Sequence, residues 1–248
     1  TWLFGIFRGD LGRSIVNGTP IFEELIRRLP VTIELMILSI LIGLIIAIPA
    51  GIISAVRQDT IIDYVVRFIS IGGLSVPTFW SGTLLLILPL LWFRYLPPMR
   101  YVSFFENPWA NLQLYMWPSL AIGFALSASV MRMTRTMLLE VLRQDYIRTA
   151  QAKGLREAVL IRRHALKNAM IPVVTIIGLQ IGRLMGGTVI MERIFQLPGI
   201  GRFLLDAIAQ RDYPELQTII LLITAMYVLL NLLVDITYAW LDPRIRYG

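Results

Sequence analysis

Side chains able to make or break bonds are scarce in this sequence. There is one histidine, His164, and no cysteine. That removes disulfides, thiolate metal sites and cysteine nucleophiles, and leaves nothing from which a histidine-built metal or catalytic cluster could be assembled. No G-x-x-x-x-G-K-[ST] run is present, so the chain does not cradle nucleotide phosphates in a P-loop of its own. Energy for any uphill task has to come from elsewhere. No catalytic residue, metal ligand or resident cofactor is expected.

What remains is a small set of polar groups placed within apolar runs: Glu34, Gln180, Arg183 and Asp235. An arginine at the centre of a membrane span costs about 2.5–3.5 kcal/mol on insertion scales, so Arg183 is expected to face a cavity or a partner rather than lipid. At 100° per residue, Gln180, Arg183 and Gly187 lie roughly 100–160° around the helix from a second face made of Gly178, Gly182 and Gly186. Bare backbone on that glycine face invites another helix to approach closely. Two readings of Arg183 stand. It is either a cation lining a pathway, where it meets a carboxylate, or one half of an interhelical pair, with Asp235 as a partner, or a snorkelling side chain. Glu34 and Glu192 fall near the outer ends of their spans, and an interfacial or structural role is the simpler reading of both.

The elements that hold these groups are membrane spans. Of 248 residues, 56 % are hydrophobic and 16 % charged, with a mean hydropathy of +0.70. A soluble domain carries about 25 % charged residues, so too little polar surface remains to solvate the outside. At ~1.5 Å rise per residue through ~30 Å of hydrocarbon, runs of roughly twenty apolar residues are needed. Five occur, at about 31–56, 68–93, 115–131, 171–191 and 218–241. The third helix is expected to continue past Arg132 and Arg135. Pro49, Pro77 and Pro89 lie inside apolar runs, where neighbouring helices must satisfy the freed carbonyls, so the spans form a packed all-α bundle.

Charge orients the bundle. Between Arg132 and Lys167 stand nine basic residues against three acidic ones, which is +6 of the total +7. Lysine and arginine concentrate in cytoplasmic loops, so 132–168 is expected inside, together with 57–67 and the tail from Asp242. Segments 1–30, 94–116 and 192–217 then lie outside, and 31–248 forms the membrane domain. A single basic loop between spans is a topological signal, and nucleic acid is not an expected partner. An outside, polar beginning with no signal peptide implies a further span upstream of this sequence, giving six in all.

The stretch 144–172, QDYIRTAQAKGLREAVLIRRHALKNAMIP, is patterned. Leu155, Ala158, Val159, Ala165 and Leu166 recur at helical spacing beside a basic stripe of Arg156, Arg163 and Lys167. Two short helices are expected to meet at Gly154, where the absence of a side chain lets the backbone turn sharply. Such a segment either lies among lipid headgroups or docks into a soluble partner.

The run YIRTAQAKG…RRHALKNAMIPVVT resembles the cytoplasmic loop of binding-protein-dependent ABC importer permeases, in the dipeptide, oligopeptide and nickel branch. GDLGRS (9–14), RLPVTIEL (28–35), MERIFQLPGIG (191–201), RDYPELQ (211–217) and DPRIRY (242–247) match the same branch in order. The resemblance implies that 140–170 carries the EAA motif, whose coupling helix seats in a cleft of a cytoplasmic ATPase. Ala150, Ala152 and Gly154 match its small residues and glycine. Arg148 stands where the wider family has glutamate, and His164, Ala165, Leu166 and Lys167 replace its I-x-L-P. Arg148, Lys153, Leu155, Arg156 and His164 complete the implied ATPase-coupling set.

Function follows as an expectation from the same resemblance. The chain is expected to be one permease subunit of an importer in a bacterial or archaeal inner membrane, working with a second permease and two ATPase subunits that hold ATP-Mg. An extracytoplasmic binding protein delivers cargo, with 192–217 and the first 30 residues as its contacts. Peptides, glutathione-like molecules, nickel chelates and some sugars are all handled by relatives. The alternative is an ion-coupled secondary transporter or channel, in which Arg183, Glu34 and Asp235 couple or select ions and the 144–168 helices have no task.

Overall fold

The computed structural model describes residues 11–98 and 100–241. Most of them lie in helices, with no strand among the described residues beyond an isolated bridge between Arg13 and Pro20. In chain order the helices are α1 (Ile21–Val56), α2 (Ile61–Ser75), α3 (Thr78–Phe93), α4 (Pro108–Leu142), α5 (Asp145–Ala152), α6 (Glu157–Val159), α7 (Leu166–Ile194), α8 (Ile200–Gln210) and α9 (Tyr213–Leu241). A π-helical turn, Leu160–Ala165, joins α6 to α7 without a break.

Four stretches are long and apolar enough to cross a membrane: Ile21–Val56, Pro108–Leu142, Glu157–Leu184 and Tyr213–Val234. The second expected span, 68–93, is not one straight helix. It is a pair, α2 and α3, bent by 100°. Pro77 is the cause: its ring excludes the α region for the preceding residue, and Val76 accordingly sits at φ −88°, ψ 122°. At about 1.5 Å per residue, neither the 15 residues of α2 nor the 16 of α3 reaches across ~30 Å alone. Pro89, Pro118 and Pro172 lie within helices, as does Pro49 in α1. Helix α4 runs on past Arg132 and Arg135 to Leu142. Helix α1 begins at Ile21, ten residues ahead of the expected boundary, with Glu23 and Glu24 in its first turn where the helix dipole favours acids.

Contacts divide the chain into two compact units. The first takes the described parts of Thr1–Ser39, Thr78–Ile122 and Arg183–Leu229. Its core joins Ile21 and Leu25 of α1, Ile200, Phe203 and Ala207 of α8 and Ile219 of α9. The second takes Ile40–Pro77, Gly123–Gly182 and the described part of Leu230–Gly248, around Ala55, Leu138, Ile147, Leu160, Ala165 and Ala169.

Small residues let the second unit's helices approach. On α1, a Cβ at Gly43 would stand 3.0 Å from the Gly123 carbonyl oxygen, and one at Gly51 would stand 2.8 Å from that of Met131. Ala47, between them at the same four-residue spacing, is fully buried. This stripe had no place in the sequence reading, which singled out α7. There, Gly178 is pressed against Val234 of α9, so at that position the glycine face serves packing within the chain. Gly182 is buried too, and the side-chain environment of Gly186 lies outside the described residues.

Candidate functional site: a helix-capping platform and a basic docking segment

In the first unit, motifs far apart in sequence meet. Helix α7 ends with Gln196 at φ +54° and the Leu197 N–H donating to the Glu192 carbonyl, a Schellman-type stop. The chain then turns back so that α8 starts over the Glu192 side chain. Glu192 is 0 % exposed. Its carboxylate accepts from Thr32 Oγ1 at 2.7 Å and from the Arg202 N–H at 2.9 Å, and the Gly201 N–H also points at it. A carboxylate borrowed from α7 thus caps α8, placing negative charge where the helix dipole and the free N–H groups favour it. Gly199 and Gly201 make room: a Cβ at either would collide, at Gly199 with the Glu192 carboxyl and at Gly201 with the Val189 backbone at 2.5 Å. Burial pushes the Glu192 carboxyl above its usual range, and the hydrogen bonds from Thr32 and the amides pull it back only in part.

Helix α9 is capped in a similar way by Asp212. Its Oδ1 accepts the Glu215 N–H at 3.3 Å, and Oδ2 accepts Ser14 Oγ at 2.5 Å and the Val16 N–H at 3.3 Å. Thr218 Oγ1 reaches the Leu11 carbonyl at 3.3 Å. Burial alone would raise the Asp212 pKa; these hydrogen bonds outweigh it and hold the carboxyl below the usual aspartate range. Arg28 lies over the Phe203 ring at 4.4 Å, a cation–π contact. Residues 11–20 and the 192–217 region therefore pack together. Within that region, 200–210 is an amphipathic helix.

Glu34 is half-buried in the same unit. It lines a cavity of about 630 Å³ whose walls include Ile33, Ile37, Tyr101, Phe104 and Asn111. Arg183 is exposed and Gln180 half-buried, and both engage polar or charged partners. The side chain of Asp235 lies outside the described residues, so its pairing with Arg183 has no description here.

The second unit carries the basic segment. Helix α5 ends at Ala152, and Gly154 turns the chain at φ +77°, a left-handed conformation that glycine adopts without penalty. From Glu157 the helix is continuous into α7. Ile147, Leu160 and Ala165 anchor the segment in the core. Tyr146 bridges the two arms: its hydroxyl donates to the His164 carbonyl at 3.4 Å and accepts from Asn168 Nδ2 at 2.9 Å. His164 lies in the π-helical turn, an irregularity common at functional positions.

The expected apolar face of this segment splits in two. Ala165 is buried and Leu166 half-buried, whereas Leu155, Ala158 and Val159 are exposed, Leu155 by 40 % and Val159 by 39 %. Arg148, Lys153, Arg156, Arg163 and Lys167 are exposed as well. Arg148 reaches Asp145 at 3.6 Å across solvent, a pair worth little. The result is an apolar ridge flanked by cations at the tip of a rigidly anchored turn.

Sequence reasoning did not find the buried pair behind this segment. Arg135 of α4 holds Asp63 of α2 bidentately at 2.8 and 2.7 Å, with Ser54 Oγ donating to the same carboxylate at 2.5 Å. A single acid in a short expected loop gave no periodic signal. Only its position three residues after Thr60, whose side chain caps α2, marks it as belonging to a helix N-terminus.

Residues 47–247 match the family described as binding-protein-dependent transport system inner membrane component. The chain is 42 % identical to the dipeptide transport system permease protein DppB of Alkalihalophilus pseudofirmus, over 96 % of this chain and 78 % of that one. It is 40 % identical to the oligopeptide transport system permease protein AppB of Bacillus subtilis, over 99 % and 79 %. Against the glutathione transport system permease protein GsiC of Pectobacterium atrosepticum it is 39 % identical, over 99 % and 78 %. Among solved structures, an inward-facing conformation of the MetNI methionine ABC transporter superposes with a TM-score of 0.72 at 16 % identity, covering 90 % of this chain and 98 % of that one. An amino acid ABC transporter gives 0.66 at 15 %, covering 96 % and 98 %. The extent of these matches, on a helical chain with its basic segment between two spans, places the protein in the family of binding-protein-dependent transport system inner membrane components.

Proposed function

We propose that this chain is one permease subunit of an ATP-driven importer for peptides or a closely related small solute, and that the 144–168 segment is the handle through which a separate ATPase moves it. The observation that carries the proposal is the exposed ridge of Leu155, Ala158 and Val159 with its flanking cations. A chain with no nucleotide site of its own needs such a surface. Anchoring by Ile147, Leu160 and Ala165 makes the handle stiff. A displacement at the ridge then passes along the continuous helix into α7. ATP-Mg acts in the partner, and its binding biases a two-state bundle through contacts made at this segment.

Glu34, Gln180, Arg183 and Asp235 are the candidates for lining the translocation path in the same proposal. A second permease subunit completes the pathway, and the first 30 residues and the 192–217 region receive the binding protein. Peptide cargo is supported by the relatives' names. The test is uptake of a labelled dipeptide by cells lacking the chromosomal copy and supplied with this chain. Uptake that stops when the co-purifying ATPase is inactivated supports the proposal. Uptake that persists, driven by an ion gradient, contradicts it.

A further inference from the structure

We propose that a cavity between α2 and α4 binds the phosphate of an anionic phospholipid, in the leaflet on the side of the basic segment. The walls of the cavity, of about 230 Å³, mix Arg67, Arg132 and Arg135 with Ser70 and with the apolar Ile71 and Met131.

The charges do not cancel. Asp63 spends its lone pairs on Arg135, on Ser54 and on the Asp59 N–H at 3.1 Å. Arg67 approaches it only at 3.9 Å and is 41 % exposed, stacked over Tyr64. Arg132 is exposed, and among the described residues no carboxylate pairs with it. Asp59 is exposed and bonded to Gln58. Asp63 thus serves Arg135 and, more weakly, Arg67, while Arg132 adds a third guanidinium group to the same cavity, and an external anion lowers the energy of holding the three together.

The shape of the surroundings selects the anion. Arg67 lies within two turns of the start of α2, and Arg132 directly follows the apolar 115–131 run, so both stand at the boundary of the hydrocarbon. Further along α2 from Arg67 the surface is apolar and open: Phe68 is 79 % exposed and Ile71 61 %. A free phosphate would use the arginines alone. A phospholipid uses the apolar surface as well, its headgroup among the arginines and its acyl chains along α2. Arginine forks suit phosphate oxygens.

The chain is extracted with the subunits that accompany it, stripped of lipid and titrated with phosphatidylglycerol or phosphatidylcholine of identical acyl chains, with retention read by native mass spectrometry. Retention of phosphatidylglycerol at least tenfold above phosphatidylcholine is expected. Arg67→Gln and Arg132→Gln should each weaken it about fivefold, the share of one basic side chain at an anionic surface, while Arg67→Lys keeps most of it. Equal retention of the two lipids, or retention indifferent to both glutamine variants, overturns the proposal. Displacement by millimolar inorganic phosphate assigns the cavity to free anions instead, and displacement by a cargo peptide assigns it to the transport path. Should a glutamine variant fail to fold, the lipid preference of the unaltered chain still decides.

Discussion

Thr32 Oγ1 donates to Glu192 at 2.7 Å and accepts from the Ile200 N–H at 2.9 Å. One hydroxyl of α1 thus binds both the carboxylate that caps α8 and the first turn of the helix it caps. Glu192→Ala leaves that hydroxyl and two amides without an acceptor in a buried site. It should cost roughly 2–4 kcal/mol, read as a lower melting temperature of the purified protein. Glu192→Gln keeps the volume and part of the bonding, and should cost about half as much. Equal melting temperatures for all three proteins would mean that α8 is held by its apolar face alone.

Asp212 sets a pH dependence. Its carboxyl titrates below the usual aspartate value in the folded protein because Ser14 and backbone amides donate to it, against the opposing effect of burial. The unfolded chain therefore binds its proton first as pH falls, so the stabilisation is full above the ordinary aspartate pKa of 3.8 and is lost as pH drops through the folded value. Asp212→Asn should lower stability by roughly 1–2 kcal/mol at pH 7 and by progressively less below pH ~4. A difference that stays constant with pH would show that the charge has no part in the cap.

The buried pair in the second unit gives a prediction with a built-in rescue. Arg135→Gln strands the Asp63 carboxylate, which is 0 % exposed, and should destabilise by roughly 3–5 kcal/mol. Adding Asp63→Asn should recover at least half. Losses that simply add in the double variant would show that the two residues do not act as a pair.

Helix approach is tested by two glycines with opposite surroundings. A Cβ on Gly51 meets Thr134 Cβ at 2.7 Å and the Met131 carbonyl at 2.8 Å, whereas a Cβ on Gly72 meets nothing within 4 Å. Gly51→Ala should cost about 1–3 kcal/mol through overpacking. Gly72→Ala should be neutral or slightly stabilising, through helix propensity. Circular-dichroism melts of the two variants in one detergent compare them directly.

What the sequence disclosed was governed by range. Apolar runs set the spans, because each span satisfies its backbone internally. Pro77 was visible, but its consequence depended on whether α2 and α3 would find packing that tolerates a bend, which no local pattern states. The quoted motifs were read as separate resemblances. Thr32 in RLPVTIEL meets Glu192 in MERIFQLPGIG, and Ser14 in GDLGRS meets Asp212 in RDYPELQ. Those pairings span 160 and 198 residues, beyond any periodicity argument. Helix α8 was missed because its start depends on a cap supplied from α7, while its own N-cap residue, Gly199, offers no side chain. In the basic segment, spacing marked the apolar positions as one face, which the structure does not keep. Only packing divided it into the anchoring residues and the exposed Leu155, Ala158 and Val159.

That exposed ridge decides the account. Leu155→Asp places a charge on a solvent-facing side chain, so the protein should melt within about 0.5 kcal/mol of the unaltered one. If the ridge is seated in an ATPase, the same variant should lose at least tenfold in ATPase recovered when the permease is affinity-purified from its membrane, and peptide uptake should fall with it. Undiminished recovery of the ATPase with normal uptake would place the ridge among lipid headgroups, and the handle would have to be sought elsewhere on the chain.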